Sequence, residues 1–368
     1  MWMDIWNQWK RTSLKSFVSL FLVGLILSVA IAACGGDSEN AASTKNPEAS
    51  PVAANKQDVE LTLVSFAVTK AAHEAIIPKF TQKWQQEHNQ NVKFKQSYGG
   101  SGSQTRAVID GLDADIVHLA LALDVSRIEK AGLIQPGWEK EVPNNGIVSK
   151  SVAALITRPG NPKNLNTWED LGKDGVQIIT ADPKTSGIAR WNFLAFWNAA
   201  IKSGGGEEKA LDLVTKIYTK NVPLLTKDAR EATDAFFKQG QGDALVNYEN
   251  EIILAEQKGE KVNYIIPEVN ISIDNPIAVV DKNVDKHGTR EVAQAFVEYL
   301  FTPEAQAEFA KVGFRPVDET AAQTKELAAK YPKVKTLGSV ADYGGWNAVQ
   351  KKFFDDEAVF DQIQSQKR

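Results

Sequence analysis

Val59-Glu60-Leu61-Thr62-Leu63-Val64-Ser65-Phe66 is a run of β-branched and apolar residues, and it reads as a buried strand. Directly after it, Ala71, Ala75, Ile76, Phe80 and Trp84 recur at helical spacing, so residues 70–88 read as a helix. The same pattern repeats outward. Val92 to Gln96 reads as a strand, residues 103–112 as a helix, Ile116 to Leu119 as a short buried strand and Val125 to Ala131 as a helix. Val152 to Thr157 reads as a strand that leaves this first unit and ends at Arg158-Pro159-Gly160-Asn161-Pro162.

Beyond that turn the alternation resumes. Val176 to Thr180, Val222 to Thr226, Ala244 to Asn247 and Tyr264 to Ile266 read as strands, with helices over Ile188 to Lys202 and Arg230 to Gln239. Such alternation implies parallel sheets flanked by helices and wound right-handedly. Ile277 to Val280 reads as a further strand, and Glu291 to Phe301 and Pro303 to Lys311 as helices that have no sheet of their own. The chain is therefore expected to return to the first unit. The expected division is residues 58–153 plus 275–368 in one α/β lobe and 154–274 in the other, joined by two crossovers around a cleft.

The length of 368 residues suits two domain-sized units, and 43% hydrophobic with 24% charged content is ordinary globular composition. The formal net charge of -4 argues against a nucleic-acid binder, which would show a basic face. At the N-terminus, Lys10, Arg11 and Lys15 precede an uncharged apolar run from Phe17 to Ala33. Ile31-Ala32-Ala33 then leads into Cys34, the single cysteine of the chain. That layout reads as a lipoprotein signal peptide over residues 1–33, cleaved before a lipidated Cys34. The bland alternative is a short membrane anchor with an incidental cysteine. A lone thiol can form no internal disulfide, and lipidation supplies a reason for it, with more than one acyl chain giving a lasting anchor. Residues 34–57 are rich in Gly, Ser, Ala, Asn and Pro and read as a flexible tether to an extracytoplasmic, membrane-anchored domain.

Three loops lie where a strand ends and a helix begins: Gln96-Ser97-Tyr98-Gly99-Gly100-Ser101-Gly102-Ser103, Pro183-Lys184-Thr185-Ser186-Gly187-Ile188-Ala189-Arg190-Trp191, and Thr226-Lys227-Asp228-Ala229-Arg230-Glu231. Open α/β sheets bind ligands at the carboxyl ends of their strands. Helix starts present unpaired N–H groups and a partial positive charge, which suits an anion. Glycine permits close approach and serine adds a hydroxyl donor. Singly, each loop is as readily an ordinary N-cap or turn. Three of them spread over both units point to an anion site.

No catalytic constellation accompanies them. Gly-Gly-Ser-Gly-Ser lacks the Lys-Ser/Thr of a phosphate-binding P-loop, no G-x-G-x-x-G opens the first unit, and no Ser sits in a G-x-S-x-G elbow. The four histidines, His73, His88, His118 and His287, lack metal-ligand spacing, and solvated surface positions are the plainer reading. Neither enzyme activity, cofactor nor metal is expected.

The chain resembles the bacterial sulfate- and thiosulfate-binding proteins of ABC importers over about residues 58–365. The matching segments are Gln96-Ser97-Tyr98-Gly99-Gly100-Ser101-Gly102, Arg158-Pro159-Gly160-Asn161-Pro162-Lys163, Asp182-Pro183-Lys184-Thr185-Ser186-Gly187, Ala189-Arg190-Trp191-Asn192, Gly242-Asp243-Ala244-Leu245, Glu249-Asn250-Glu251, Phe314-Arg315-Pro316 and Tyr343-Gly344-Gly345-Trp346. The resemblance implies the type II two-lobe periplasmic-binding-protein fold, a monomer, and delivery of sulfate to a membrane permease with its ATPase. It implies backbone donors at Ala67, Ser101, Gly187, Ile188 and Ala229, with the Ser186 hydroxyl as another. Ala67 stands where an aspartate is common, and Ile188 where a second glycine is. Tyr248 stands where sulfate binders place a tryptophan, so thiosulfate or molybdate is the alternative ligand. From another class, the alternative is an exported enzyme acting on a sulfate or phosphate ester. A pocket of donors alone suits sulfate, which carries no proton at neutral pH, and disfavours protonated phosphate.

Overall fold

The structure, a computed structural model, describes residues 57–317, 330–331 and 333–367. The expected signal peptide, Cys34 and nearly all of the tether lie outside the described residues.

Strand β1 (Val59–Phe66) is flanked on both sides, by β2 (Val92–Gly99) and β3 (Ile116–His118), each parallel to it. Its apolar residues therefore serve two cores. Leu61, Leu63 and Phe66 pack in the cluster that holds Ala72, Ile76 and Phe80 of α1 (Lys70–His88). Val64 joins Val108 of α2 (Ser101–Ile109) and Val125 of α3 (Ala122–Lys130) in another. Successive residues of a strand point to opposite faces, which is why a strand covered on both faces reads as a continuous apolar run.

After β4 (Ile147–Ser151) the chain crosses at Val152 into β5 (Ala153–Thr157). It continues through β6 (Ile178–Ala181), α4 (Gly187–Ala200), α5 (Gly206–Lys216), β7 (Leu225–Thr226), α6 (Ala229–Phe237), β8 (Ala244–Tyr248), α7 (Glu249–Gln257) and β9 (Asn263–Ile265). From β10 (Val269–Ile271) it crosses back at Ser272 into β11 (Ile273–Val279), followed by α8 (Asp281–His287), α9 (Arg290–Tyr299) and α10 (Pro303–Lys311). The strand orders are β2-β1-β3-β11-β4 and β7-β6-β8-β5-β9, while β10 pairs with β12 (Thr336–Gly338) in a two-stranded ribbon. Each five-stranded sheet is the base of one lobe.

The sheets are mixed rather than parallel throughout. β11 runs antiparallel to both β3 and β4, and β5 antiparallel to β8 and β9. These are the strands at the two crossovers. A chain that passes directly from one sheet to the other enters it without the helical return that makes neighbouring strands parallel.

Both crossovers are clamped. The fully buried Asn270 amide accepts from the Ala153 N–H at 3.2 Å and donates to the Ala153 carbonyl at 2.8 Å, so one side chain pairs the two connections. Arg315 grips the buried Glu249 carboxylate through Nε at 2.6 Å and Nη2 at 2.9 Å, while its own N–H donates to the Lys150 carbonyl. The Glu249 and Arg315 segments singled out in the sequence thus hold the junction together.

Every residue of α4 is buried. A helix apolar all round needs cover on all sides, and the C-terminal segment supplies it. Phe353, Phe354 and Phe360 pack on Phe193, and Trp346 meets Trp191 edge-on at 4.6 Å. The sequence division counts this segment with the first lobe, yet these aromatic contacts run to the second. The reason is the aromatic surface of α4, which Trp168 and Tyr218 cover in part and the C-terminal segment completes.

Candidate anion-binding site

Several strand-to-helix junctions converge. α2 begins at Ser101, two residues earlier than its periodicity implies, because Ser101 and Gly102 are already helical. A Cβ on Gly187, the first residue of α4, would stand 2.4 Å from the Ala120 Cβ and 3.5 Å from that of Ser101. A Cβ on Gly100 would stand 2.5 Å from the Thr185 carbonyl oxygen and 2.9 Å from that of Lys227. Both are contacts between the two lobes, and only glycine fits either. The turn at Ala67 packs against α6, and Phe66 sets its ring 5.9 Å from that of Tyr248. The Asn247 amide donates to the Ala229 carbonyl at 2.8 Å, tying the end of β8 to the start of α6.

These contacts bring together the segments that carry the seven residues expected from the sequence, where the two lobes meet. Ser101, Gly187 and Ala229 are first residues of their helices and Ile188 is a second, positions whose N–H groups have no partner within the helix. Ser101, Ser186, Ile188, Ala229 and Tyr248 are buried, and Ala67 is half-buried.

The two serines differ in what their hydroxyls do. Ser101 Oγ donates to Asp124 Oδ2 at 2.6 Å and accepts from the Ala120 N–H at 3.0 Å, so it braces the site and leaves its backbone amide as the available donor. Ser186 makes no cap bond to its own helix, and its hydroxyl has no partner among the described residues. The Tyr248 hydroxyl likewise has no hydrogen-bond partner among the described residues. Burial, and then the charges of Asp124 and Glu251, push its pKa well above the usual phenol value. It stays protonated and able to donate.

The charges nearby are paired with one another. The fully buried Asp124 carboxylate faces Arg127 Nη1 at 3.4 Å and Arg190 Nη1 at 3.6 Å. Arg190 Nε donates to the Pro183 carbonyl at 2.9 Å, and Arg230 pairs with Glu251 at 2.7 Å. What faces the cleft is neutral hydrogen-bond donors and helix starts, an environment for an anion that accepts bonds without needing a counter-charge. Among the described residues, no cluster of three or more His, Cys, Asp or Glu is placed to hold a metal.

Sequence reasoning missed two parts. The β3–α3 loop is a fourth strand-to-helix switch, but Leu119-Ala120-Leu121 carries no Gly or Ser to mark it. The histidines were expected at the surface, and two are wholly buried. Tyr98 Oη meets His73 Nδ1 at 3.1 Å and His73 Nε2 meets His118 Nδ1 at 3.1 Å. His118 Nε2 meets Ser149 Oγ at 3.3 Å, and Ser149 bonds Asn275, whose amide donates to the Ala120 carbonyl. The residues are far apart in sequence, so no spacing could signal this chain.

Residues 61–315 match the family model of bacterial extracellular solute-binding proteins. A sulfate-binding protein of Synechococcus elongatus is 57% identical over 356 residues, covering 97% of each chain. The Escherichia coli sulfate-binding protein is 41% identical over 310 residues, 83% of this chain and 93% of its own. The solved structure of the sulfate-binding protein SubI from Mycobacterium tuberculosis superposes with a TM-score of 0.74 at 37% identity, covering 81% of this chain and all of that one. With its two mixed sheets, its double crossover and a cleft ringed by helix starts, this chain belongs to the bacterial extracellular solute-binding proteins.

Proposed function

We propose that the protein captures sulfate outside the cytoplasm and delivers it to an ABC importer. The observation that carries this reading is the convergence of the α2 and α4 starts, neither capped by a side chain, with the free Ser186 hydroxyl and the Asp228-capped start of α6, whose first N–H at Ala229 has no partner within the helix. The names of the relatives point the same way. The anion accepts from the backbone N–H groups of Ala67, Ser101, Gly187, Ile188 and Ala229 and from the hydroxyls of Ser186 and Tyr248. Each charge-assisted bond contributes about 1.5–3 kcal/mol before the anion's desolvation is subtracted. The two lobes, each built on one of the five-stranded sheets, close around it by rotation at Val152 and Ser272. Cys34 carries the lipid that holds the protein at the membrane, where a permease with its ATPase receives the ligand. The protein acts as a monomer and catalyses no reaction.

Calorimetric titration of ligand-stripped protein with sulfate, thiosulfate, molybdate and phosphate tests the reading. Tight one-to-one sulfate binding is expected, with phosphate weaker by roughly a hundredfold or more. A clear win for thiosulfate or molybdate would make Tyr248 the residue that redefines the ligand. Binding of no oxyanion would end the proposal.

A further inference from the structure

Several contacts cross the cleft without touching the place where an anion would sit. Arg106, exposed on α2 of the first lobe, donates from Nη1 to the Lys184 carbonyl at 3.0 Å. Its Nη2 lies 3.3 Å from Ser103 Oγ, which orients the guanidinium, and the Ser103 N–H donates to the Thr185 carbonyl at 3.3 Å. In the opposite sense, Trp191 of the second lobe donates from Nε1 to the Ala120 carbonyl of the first at 3.0 Å.

The segment that Arg106 grasps is itself rigid. Arg190 Nε donates to the Pro183 carbonyl, Thr185 Oγ1 donates to the Lys227 carbonyl at 2.8 Å, and Lys184 Nζ pairs with Asp361 at 2.9 Å. A pull on Lys184 is therefore a pull on the whole second lobe. Lys184 and Thr185 immediately precede Ser186 and Gly187, so the same contact sets the position of the α4 start against α2.

We propose that Arg106 is a positioning residue that latches the closed lobes, so that it governs how slowly the bound anion leaves. This rests on the sulfate reading above. In the open form the guanidinium and the Lys184 carbonyl are both hydrated, and the bond exists only once the lobes meet. A contact present only in the closed state shifts the opening equilibrium by its own differential strength. Capture, which happens in the open form, does not feel it.

Stopped-flow release of radiolabelled sulfate from the full-length protein tests this. Arg106→Ala is expected to release sulfate roughly fivefold to tenfold faster, the loss of one charge-assisted bond at a solvated site. The association rate and the melting temperature of the ligand-free protein stay at wild-type values. Arg106→Lys, which keeps a cationic donor, recovers part of the slow release, and Trp191→Phe, which stays aromatic but lacks the N–H donor, accelerates release in the same way. A wild-type release rate in Arg106→Ala would overturn the latch and leave the sulfate reading intact. Wild-type protein that binds no oxyanion would overturn the sulfate reading, and the latch with it.

Discussion

Ser186 and Thr302 stand at the same place, one residue before a helix, and do different work. Thr302 Oγ1 accepts from the Ala305 N–H at 3.4 Å and donates to the Tyr299 carbonyl at 2.7 Å, and Pro303 follows it with no N–H to satisfy. That helix start is closed on itself. Ser186 makes no bond to α4, and Gly187 after it lets the opposite lobe approach to contact distance. A small hydroxyl residue before a helix is thus no sign of function. What matters is whether the hydroxyl is used up locally and what the next residue permits.

Acid should separate the two regions most strongly, because it acts on the fold and leaves the Ser186 donors untouched. Burial holds His73 at about 3, against its ordinary 6.5, and holds His118 well below that value as well. The unfolded chain takes up these protons below pH 6.5 while the folded protein refuses them. Stability is therefore complete above that pH and falls as the pH drops towards 3, by up to about 1.4 kcal/mol per pH unit for each histidine. His287, raised by its bond to Asp115, contributes in the opposite sense and is lost as the pH rises. Urea denaturation at pH 7 and pH 4.5 measures the difference. Unchanged stability would mean the pair is not held neutral.

Ser186→Ala is expected next in size, weakening sulfate binding by about 1.5–3 kcal/mol, with little change in melting temperature. Equal loss of stability and affinity would make it an ordinary cap. Gly187→Ala places a methyl group against Ala120, and overpacking of this kind costs about 1–3 kcal/mol. Because the clash exists only between closed lobes, calorimetry should show it in affinity and not in the stability of the ligand-free protein. Thr302→Ala inverts the pattern, lowering stability by about 1 kcal/mol while sulfate affinity holds. If it weakened binding too, the contrast with Ser186 would collapse.

The unbroken apolar run of β1 and the period of α1 were readable because burial on both faces of a strand and one face of a helix leaves a pattern in neighbouring residues. The three helix starts, two marked by Gly and Ser and the third by Asp228, were readable for a similar local reason. Short β4 and α7 were not, since their five and nine residues show no clear apolar period. The antiparallel strands at the crossovers also escaped notice, because direction depends on where a chain re-enters a sheet and not on its composition.

From the sequence alone came the alternating elements, the residues at their junctions and the exclusion of familiar catalytic motifs. These are properties of segments a few residues long. The tertiary structure alone decided that Ser101 spends its hydroxyl on Asp124 while Ser186 keeps its own free. It also decided that His73 and His118 are buried partners and that Arg106 reaches the Lys184 carbonyl. Each of these is a distance between groups brought together by the packing of two lobes, and no local pattern encodes it.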